Sequence, residues 1–474
     1  MSAEQTRSAS AQEPGSTRPL GVVVLAAGQG TRMRSRRPKV LHDVAGKAML
    51  RHVLDAVAQL RPARCVVVVG PGQAAVAEAA APHATAEQTE RLGTGHAVQA
   101  AHAALGELAA DPQAEVLITC ADTPLLTAET LAGLRRSRTE QAAEIAVLGF
   151  RARDPGGYGR LVLDADGLLQ RIVEAKDADP RERAIELCNA GVLLARADLL
   201  FEALARVGND NAKGEYYLTD VVGIARGQGA RIAVALGGEA EMQGVNSRAD
   251  LAAAEAQMQR RLRAAAMTGG ATLSAPETVF FSHDTALAAD VTVEPHVVFG
   301  PGVSVAEGAT IKAFSHLEGT QVGPGAQVGP YARLRPGTVL GADSRVGNFV
   351  ETKNAQLGAG AKANHLTYLG DTVVGAAANI GAGTITCNYD GTLKHRTEIG
   401  AGAFIGSNSA LVAPVTVGAG AIVGAGSTVT QDVADDALAL TRAQQRTVAG
   451  GGARFRASRQ AEKARRTGAD TDGS

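Results

Sequence analysis

The apolar positions of this chain follow two different periods. Up to about Ala265, short apolar runs alternate with helical patterns. Gly21–Gly28 (GVVVLAAG), Cys65–Gly70 (CVVVVG) and Glu115–Asp122 (EVLITCAD) are continuous apolar runs of strand length, and His96–Ala110 carries a helical pattern between the last two. Such alternation predicts an α/β unit with a mostly parallel sheet covered on both faces. Ser247–Met267 is rich in Ala, Leu, Arg and Gln and predicts one long helix, stopped by Thr-Gly-Gly. It reads as a linker.

From about Thr278 the period becomes six. Leu287, Val293, Phe299, Val305, Ile311 and Leu317 stand six apart; after a one-residue slip come Val322, Val328, Leu334, Leu340 and Val346; Ile399, Ile405, Leu411, Val417, Val423 and Val429 resume it. Neither a helix nor an ordinary strand has this period. A solenoid does: each hexapeptide forms one flat side, three sides close a coil, and the aliphatic residue points inward. After Thr430 the pattern ends, and residues 450–474 read as a disordered tail with solvated basic residues.

Composition narrows the classes. The 474 residues are too many for one ordinary domain. With 47 Lys+Arg against 48 Asp+Glu, nothing argues for nucleic acid or an anionic membrane as partner. No apolar run is long enough to span a bilayer. Residues 1–19 are polar and lack a signal-peptide core, so they read as a disordered leader of a cytoplasmic protein. Cys65, Cys120, Cys188 and Cys387 are far apart, which fits reduced thiols better than a zinc site. There is no Trp and aromatics are 3%, as a thin solenoid interior requires.

Candidate chemistry begins at Leu25–Leu50 (LAAGQGTRMRSRRPKVLHDVAGKAML), directly after the first strand. A Gly-rich turn there exposes N–H groups to an anion. Met33 stands where a dinucleotide fingerprint needs Gly, and no GK[ST] follows as in a Walker loop. GxGTRM followed by PK adds two cations, Arg32 and Lys39, to the same anion site. This stretch resembles the sugar-phosphate nucleotidyltransferases. RLGTGHAV (91–98), ADTPLL (121–126), GYGRLV (157–162), IVEAKDA (172–178), NAGV (189–192), NAKGEYYLTD (211–220) and GVNSRADL (244–251) follow in that family's order. With the solenoid behind them, the whole is similar to the bacterial bifunctional N-acetylglucosamine-1-phosphate uridyltransferases/glucosamine-1-phosphate acetyltransferases, over roughly residues 20–450.

The resemblance implies a Rossmann-like nucleotidyltransferase domain over 20–248, a linker helix over 249–269 and a left-handed parallel β-helix acetyltransferase domain over 270–449. It implies that Leu25, Ala26, Ala27 and Gly28 line the uridine of UTP, continued by Gly93 and Thr94. Gly159, Glu174 and Asn189 would hold N-acetylglucosamine, and Asp122 and Asn246 would bind Mg²⁺. One carboxylate and one amide oxygen suit an ion that takes few protein ligands, and Mg²⁺, Arg32 and Lys39 suit the charge that builds on a phosphoryl group under attack. Two simpler roles compete: Asp122 could cap a helix ahead of TPLLTAET, and Asn246 could cap SRADLAAAE. Three departures stand out. Gln29 replaces a frequent Lys. Arg91 precedes LGTG where a uracil-contacting Gln is common, so that contact falls to Gln88 or Arg91. Cys120 and Ala121 replace a frequent Tyr-Gly and offer only backbone or a small surface.

In the solenoid, RLRPGTVL (333–340), VGNFVETKN (346–354), NHLTYLGD (364–371), ANIGAGTITCNYDG (378–391) and AFIGSNSALVAPV (403–415) break the plain hexapeptide. A lone histidine there is as readily a solvated turn residue as a catalyst. Acetyl transfer to an amine, however, needs a base that titrates near neutrality, and the unperturbed imidazole pKa is about 6.5. On the resemblance His365 is that base, with Glu351 the candidate to orient it. Arg335 and Lys353 suit a sugar phosphate, and Tyr368 and Asn379 its hydroxyls. Ala382, Asn388, Tyr389, Ser407, Ala425 and Arg442 are implied for acetyl-CoA, and a homotrimer with its acetyl site between subunits is implied. The expected product is UDP-N-acetylglucosamine for cell-wall peptidoglycan. The rival readings are a nucleotidyltransferase with a degenerate solenoid or another sugar, and a regulatory subunit that only senses ligand.

Overall fold

The computed structural model describes residues 18–469, so the expected leader lies almost wholly outside the described residues. The chain divides into two compact units. One runs to Ala286 and includes Val298–Gly302; the other holds Leu287–Val297 and the chain from Val303. The first unit thus runs past the boundary expected at 269/270. The reason is local: Arg263 Nε donates to the Val279 carbonyl at 2.8 Å, which fastens the chain beyond the linker helix back onto it.

Strand Leu20–Leu25 is central in the first unit. It pairs in parallel with Arg64–Val69 on one side and Glu115–Cys120 on the other. The sheet runs Ile232–Leu236, Ile145–Arg151, Leu187–Arg196, Glu115–Cys120, Leu20–Leu25, Arg64–Val69, Ala84–Glu87. Leu187–Arg196 is antiparallel to both its neighbours, so the sheet is mixed. Val22, Val23 and Val24 are all fully buried. Side chains alternate across a strand, and accordingly Val23 joins the apolar cluster on one face while Val22 and Val24 join that on the other. That is why this strand reads as an unbroken apolar run. Its C-terminal end and that of Glu115–Cys120 open on the same edge, where the Ala121 N–H donates to the Leu25 carbonyl at 3.0 Å. Ligands of open α/β sheets bind at such an edge. The linker helix spans Arg248–Thr268, and Ser247 and Asp250 form a capping box at its start.

The second unit is the expected stack of short parallel strands. Val293, Ile311 and Val328 pair in register on successive coils, and each is fully buried. Val305, Leu317, Val322, Leu334, Leu340, Val346 and the later series from Ile399 to Val429 are buried to within 3%. Leu287, at the entrance, is half-buried. The repeat is interrupted after Cys387 by a loop that closes on a Tyr389–Lys394 bridge, and pairing resumes at Thr397 opposite Thr372. Along one corner His296, Phe314, Tyr331 and Phe349 stack ring on ring, with centroids 4.9, 4.9 and 5.3 Å apart. All have left-handed φ between 54° and 60°.

One expectation fails. The tail from residue 450, read as disordered, is helical over Gly451–Ala469. Its Ala, Arg, Gln and Glu are strong helix formers, and Glu462 accepts from Arg459 at 2.6 Å and Arg466 at 2.7 Å, i,i+3 and i,i+4 pairs that hold one turn to the next. No helix among the described residues is long and apolar enough to cross a membrane.

Ile311 is fully buried in a thin interior and paired in register with Val293 and Val328, so truncating it leaves a void. Ile311→Ala should cost about 2–5 kcal/mol, read as a lowered denaturation midpoint of the purified chain.

Candidate active sites

The first site lies at the C-terminal edge of the central strands. A cavity of about 280 Å³ is lined by Leu25, Ala26, Ala27, Gly28, Lys39, Gln88, Arg91, Gly93, Thr94, Cys120 and Asp122. The chain brings Lys39, Asp122 and Asn246 to one point. Lys39 Nζ lies 2.5 Å from Asp122 Oδ2 and 3.2 Å from Asn246 Oδ1. Gly30 makes this possible. It sits at φ 62°, and a Cβ there would stand 2.5 Å from Lys39 Cβ. Neither oxygen-bearing residue is a helix cap. Thr127 caps the helix after Asp122, and Ser247 caps the one after Asn246. Instead the Val245 N–H donates to the Asp122 carbonyl at 2.8 Å and fixes the two segments side by side. Two hard oxygens already converging on a cation suit Mg²⁺ by donor type.

LGTG forms the opposite wall. Gly93 has φ 111°, and a Cβ on it would meet the Tyr216 carbonyl at 2.6 Å. NAKGEYYLTD packs directly on this turn: the Leu218 N–H donates to Thr94 Oγ1 at 3.0 Å and the Tyr216 N–H to the Leu92 carbonyl at 2.7 Å. Gln88 is buried and donates to the Gly93 carbonyl at 3.0 Å; Arg91 is exposed and donates from Nε to the Ala27 carbonyl at 3.1 Å. Both candidates for the uracil contact therefore face one cavity. Burial, with the Asp122 charge behind it, pushes the Cys120 thiol up to about 12, so it is a neutral wall. Arg32 is exposed on a single 3₁₀ turn and is not part of the lining.

Gly159, Glu174 and Asn189 form a neighbouring patch. The Asn189 N–H donates to the Gly159 carbonyl at 2.8 Å, and Asn189 Oδ1 accepts from the Gly191 N–H at 3.0 Å. Thr219 Oγ1 donates to Glu174 Oε1 at 3.2 Å, while burial pushes the Glu174 carboxyl above its ordinary value.

In the solenoid His365 is exposed, and its Nδ1 lies 2.8 Å from Asn348 Oδ1. An acceptor at Nδ1 holds the proton there and leaves Nε2 with its lone pair outward. The expected orienting residue, Glu351, does not serve. It accepts from Arg335 Nη1 at 2.9 Å. Parallel register decides this, because Asn348 pairs with His365 whereas Glu351 pairs with Tyr368. Lys353 is joined by a residue the sequence did not single out, Lys394. Contact with that second ammonium pulls the Lys353 pKa down. Two cations held together suit a phosphate. Lys394 lies in the loop that breaks the repeat, and that break was its only signal. Asn379 lies on a different sheet of the coil from Tyr368, on the ladder that carries Lys362 and Phe404.

Of the residues implied for acetyl-CoA, Ala382, Ser407 and Ala425 climb one corner. The Asn408 N–H donates to the Ala382 carbonyl at 2.7 Å, the Gly426 N–H to the Ser407 carbonyl at 2.8 Å, and Arg442 Nη1 to the Ala425 carbonyl at 2.7 Å. Small residues thus lead coil by coil to an arginine. Asn388 and Tyr389 follow the strand Ile385–Cys387, at its far end from Ala382; Asn388 is buried and Tyr389 is exposed, its hydroxyl on the Gly391 carbonyl at 2.6 Å.

Comparison with known proteins agrees with both halves. A MobA-like NTP transferase domain matches residues 22–219, and six bacterial transferase hexapeptide repeats match residues 396–431. The chain is 59% identical over 449 residues to the bifunctional protein GlmU of Azorhizobium caulinodans, covering 94% of this chain and 99% of that one. It is 58% identical to that of Xanthobacter autotrophicus, covering 94% and 100%, and 54% identical to that of Paramagnetospirillum magneticum, covering 94% and 99%. At such identity over nearly the whole of both chains, this chain belongs to the family of bifunctional GlmU proteins.

Proposed function

We propose that the two sites divide the work of this family between the residues just described. The chain is a bifunctional transferase that makes UDP-N-acetylglucosamine for the cell wall, with a uridyltransferase and an acetyltransferase activity. On our reading the solenoid acetylates glucosamine-1-phosphate from acetyl-CoA. The α/β unit then joins the product to UTP and releases pyrophosphate.

At the first site the reading rests on Lys39 bridging Asp122 and Asn246 beside the cavity. Asp122 and Asn246 would hold Mg²⁺, and phosphate and water would supply its other ligands. Bound there, the ion would neutralise charge on the phosphoryl oxygens. Lys39 and Arg32 bring positive charge to the same triphosphate. The attacking sugar phosphate is already an anion and needs no base. Leu25–Gly28, Gly93 and Thr94 enclose the uridine, with Gln88 or Arg91 on the base. Gly159, Glu174 and Asn189 take the sugar.

At the second site the reading rests on Asn348 holding His365 Nδ1. Nε2 then accepts a proton from the sugar ammonium, the freed amine attacks the thioester carbonyl, and the C–S bond breaks, with CoA leaving as its thiol on taking the proton that the nitrogen loses. Arg335, Lys353 and Lys394 take the sugar phosphate, Tyr368 and Asn379 its hydroxyls. The CoA follows the corner of Ala382, Ser407 and Ala425 to Arg442, and Asn388 and Tyr389 act from the far end of the strand Ile385–Cys387. In one chain His365 and Tyr389 are open to solvent, which supports completion of the site by neighbouring copies in a homotrimer. UTP and acetyl-CoA as substrates suit a cytoplasmic enzyme.

Three outcomes test these roles. Asp122→Ala should abolish pyrophosphate release from UTP and N-acetylglucosamine-1-phosphate and leave acetylation intact; near wild-type release would remove Asp122 as a ligand. His365→Ala should lower acetyl transfer by roughly 10²–10⁴-fold, with uridylyl transfer unchanged in the same preparation. Normal acetylation would return His365 to an ordinary turn. Glu174→Gln should raise KM for N-acetylglucosamine-1-phosphate by about tenfold. It should also raise the melting temperature at pH 7–8. A carboxyl whose folded pKa is raised is stable below its unfolded pKa and loses stability as pH rises through the folded one. The gain should therefore vanish near pH 4; a gain that persists there would contradict the burial argument.

A further inference from the structure

Lys39 and Arg32 sit on a segment with little regular structure of its own. Between Gly28 and Met49 it has one-turn 3₁₀ helices at Thr31–Met33 and Lys39–Leu41, and two-residue strands at Asp43–Val44 and Lys47–Ala48. Charge placed accurately on such a segment needs support from outside it. The linker helix provides it at successive heights. In its first turn, Arg248 Nε donates to the Met33 carbonyl at 3.3 Å. Two turns on, Glu255 Oε2 accepts from the Ala45 N–H at 2.6 Å. Its other oxygen, Oε1, accepts from Gln259 Nε2 at 2.8 Å.

Gln259 is 2% exposed and imitates a strand neighbour: Nε2 donates to the Phe281 carbonyl at 2.7 Å, and Oε1 accepts from the Phe281 N–H at 2.8 Å. The circuit then closes on Ala45. Its carbonyl accepts from the His283 N–H at 2.8 Å and from Ser282 Oγ at 3.3 Å. Both backbone groups of Ala45 are thus tied, one to the helix and one to the chain beyond it. Ala45 itself holds φ 48°, a strained value for a residue with a Cβ, which its surroundings must impose.

An apolar cluster runs in parallel with these bonds. Val44, Met49, Leu125, Val245 and Ala254 pack together in full burial. Val44 follows Lys39 closely, Leu125 follows Asp122, Val245 precedes Asn246, and Ala254 precedes Glu255. Each segment that brings a group to the charged point therefore sends a residue into one small core whose fourth side is the linker helix.

We propose that Glu255, with Gln259 behind it, is a positioning residue for uridylyl transfer: it sets the Lys39 loop against Asp122 and Asn246. The inference rests on the uridylyl reading above and extends the site to Phe281–His283, beyond the linker helix. Glu255 touches no substrate in this role and acts through Lys39.

The test uses the full-length chain. Glu255→Gln keeps an acceptor for Ala45 and loses the one for Gln259; Glu255→Met keeps the volume and loses both. The kcat for pyrophosphate release should fall about threefold and about tenfold respectively, with KM for UTP within about twofold, as small displacements of a catalytic group cost rate more than binding. Acetyl transfer should not change. Combination with Lys39→Ala separates positioning from general weakening. If Glu255 acts through Lys39, Lys39→Ala/Glu255→Met is no slower than Lys39→Ala alone. A full multiplicative loss in the double variant overturns the proposal. So does wild-type kcat in Glu255→Met, or a change confined to KM. Should Glu255→Met fail to fold, Glu255→Gln carries the same comparison. A wild-type chain that releases no pyrophosphate removes the uridylyl reading and this inference with it, and is told apart because no variant then has a rate to lose.

Discussion

The first unit depends on one ionic meeting. Lys39, Asp122 and Asn246 come from points 83 and 207 residues apart, and they meet only if the central strands, the LGTG wall and the linker helix are all in place. The pair is part-buried, with the Lys39 side chain 11% exposed and that of Asp122 22%. Removing either partner would therefore leave a charge with little water to accept it. Gly30 is fixed by the same meeting, because the Lys39 chain passes where any side chain at residue 30 would be. The burial of Cys120 belongs to it too, since that thiol walls the cavity beside the ion pair.

The second unit obeys a different constraint. Its interior is filled by aliphatic side chains with small threonines and serines among them, so most of the candidate polar groups sit outside, on faces and corners. Register then places them: two residues meet when they occupy the same position on neighbouring coils. This puts Asn348 beside His365 and Arg333 beside Glu351, and Arg335 reaches Glu351 along the diagonal. It also aligns Ala382, Ser407 and Ala425 as a smooth path. The loop after Cys387 escapes that rule, and it carries Lys394 to Lys353.

The parts of the structure written in short-range pattern were legible. A period of six over so many residues admits few folds, and the interior positions are those the spacing named. GxGTRM with PK close behind it pointed to the cavity edge where Lys39 lies, and the ordered motifs after it named the family. What stayed hidden was pairing. The choice between Asn348 and Glu351 as partner of His365 turns on three residues of register, which coil length sets and no local motif reports. That neither Asp122 nor Asn246 caps a helix could not be seen until Thr127 and Ser247 were found to do the capping. The helix at Gly451–Ala469 was missed because its charge and glycine suggested disorder, while its alanines and i,i+4 pairs favoured a helix.

A coil built from near-identical hexapeptides carries an ambiguity of its own: one turn can settle on the wrong neighbour and still bury its valines. The stacked corner of His296, Phe314, Tyr331 and Phe349 removes much of that freedom. Each ring occupies a backbone conformation that L-residues avoid, at a cost of about 1–2 kcal/mol; ring-on-ring contact returns about 0.5–1.5 kcal/mol. A turn slipped by one hexapeptide would set a ring against a glycine or an aspartate, the residues at the adjoining corners. It would keep the cost and lose the return. The corner therefore acts as a register key along one edge of the coil, a lock that correctly paired turns fit and slipped ones do not.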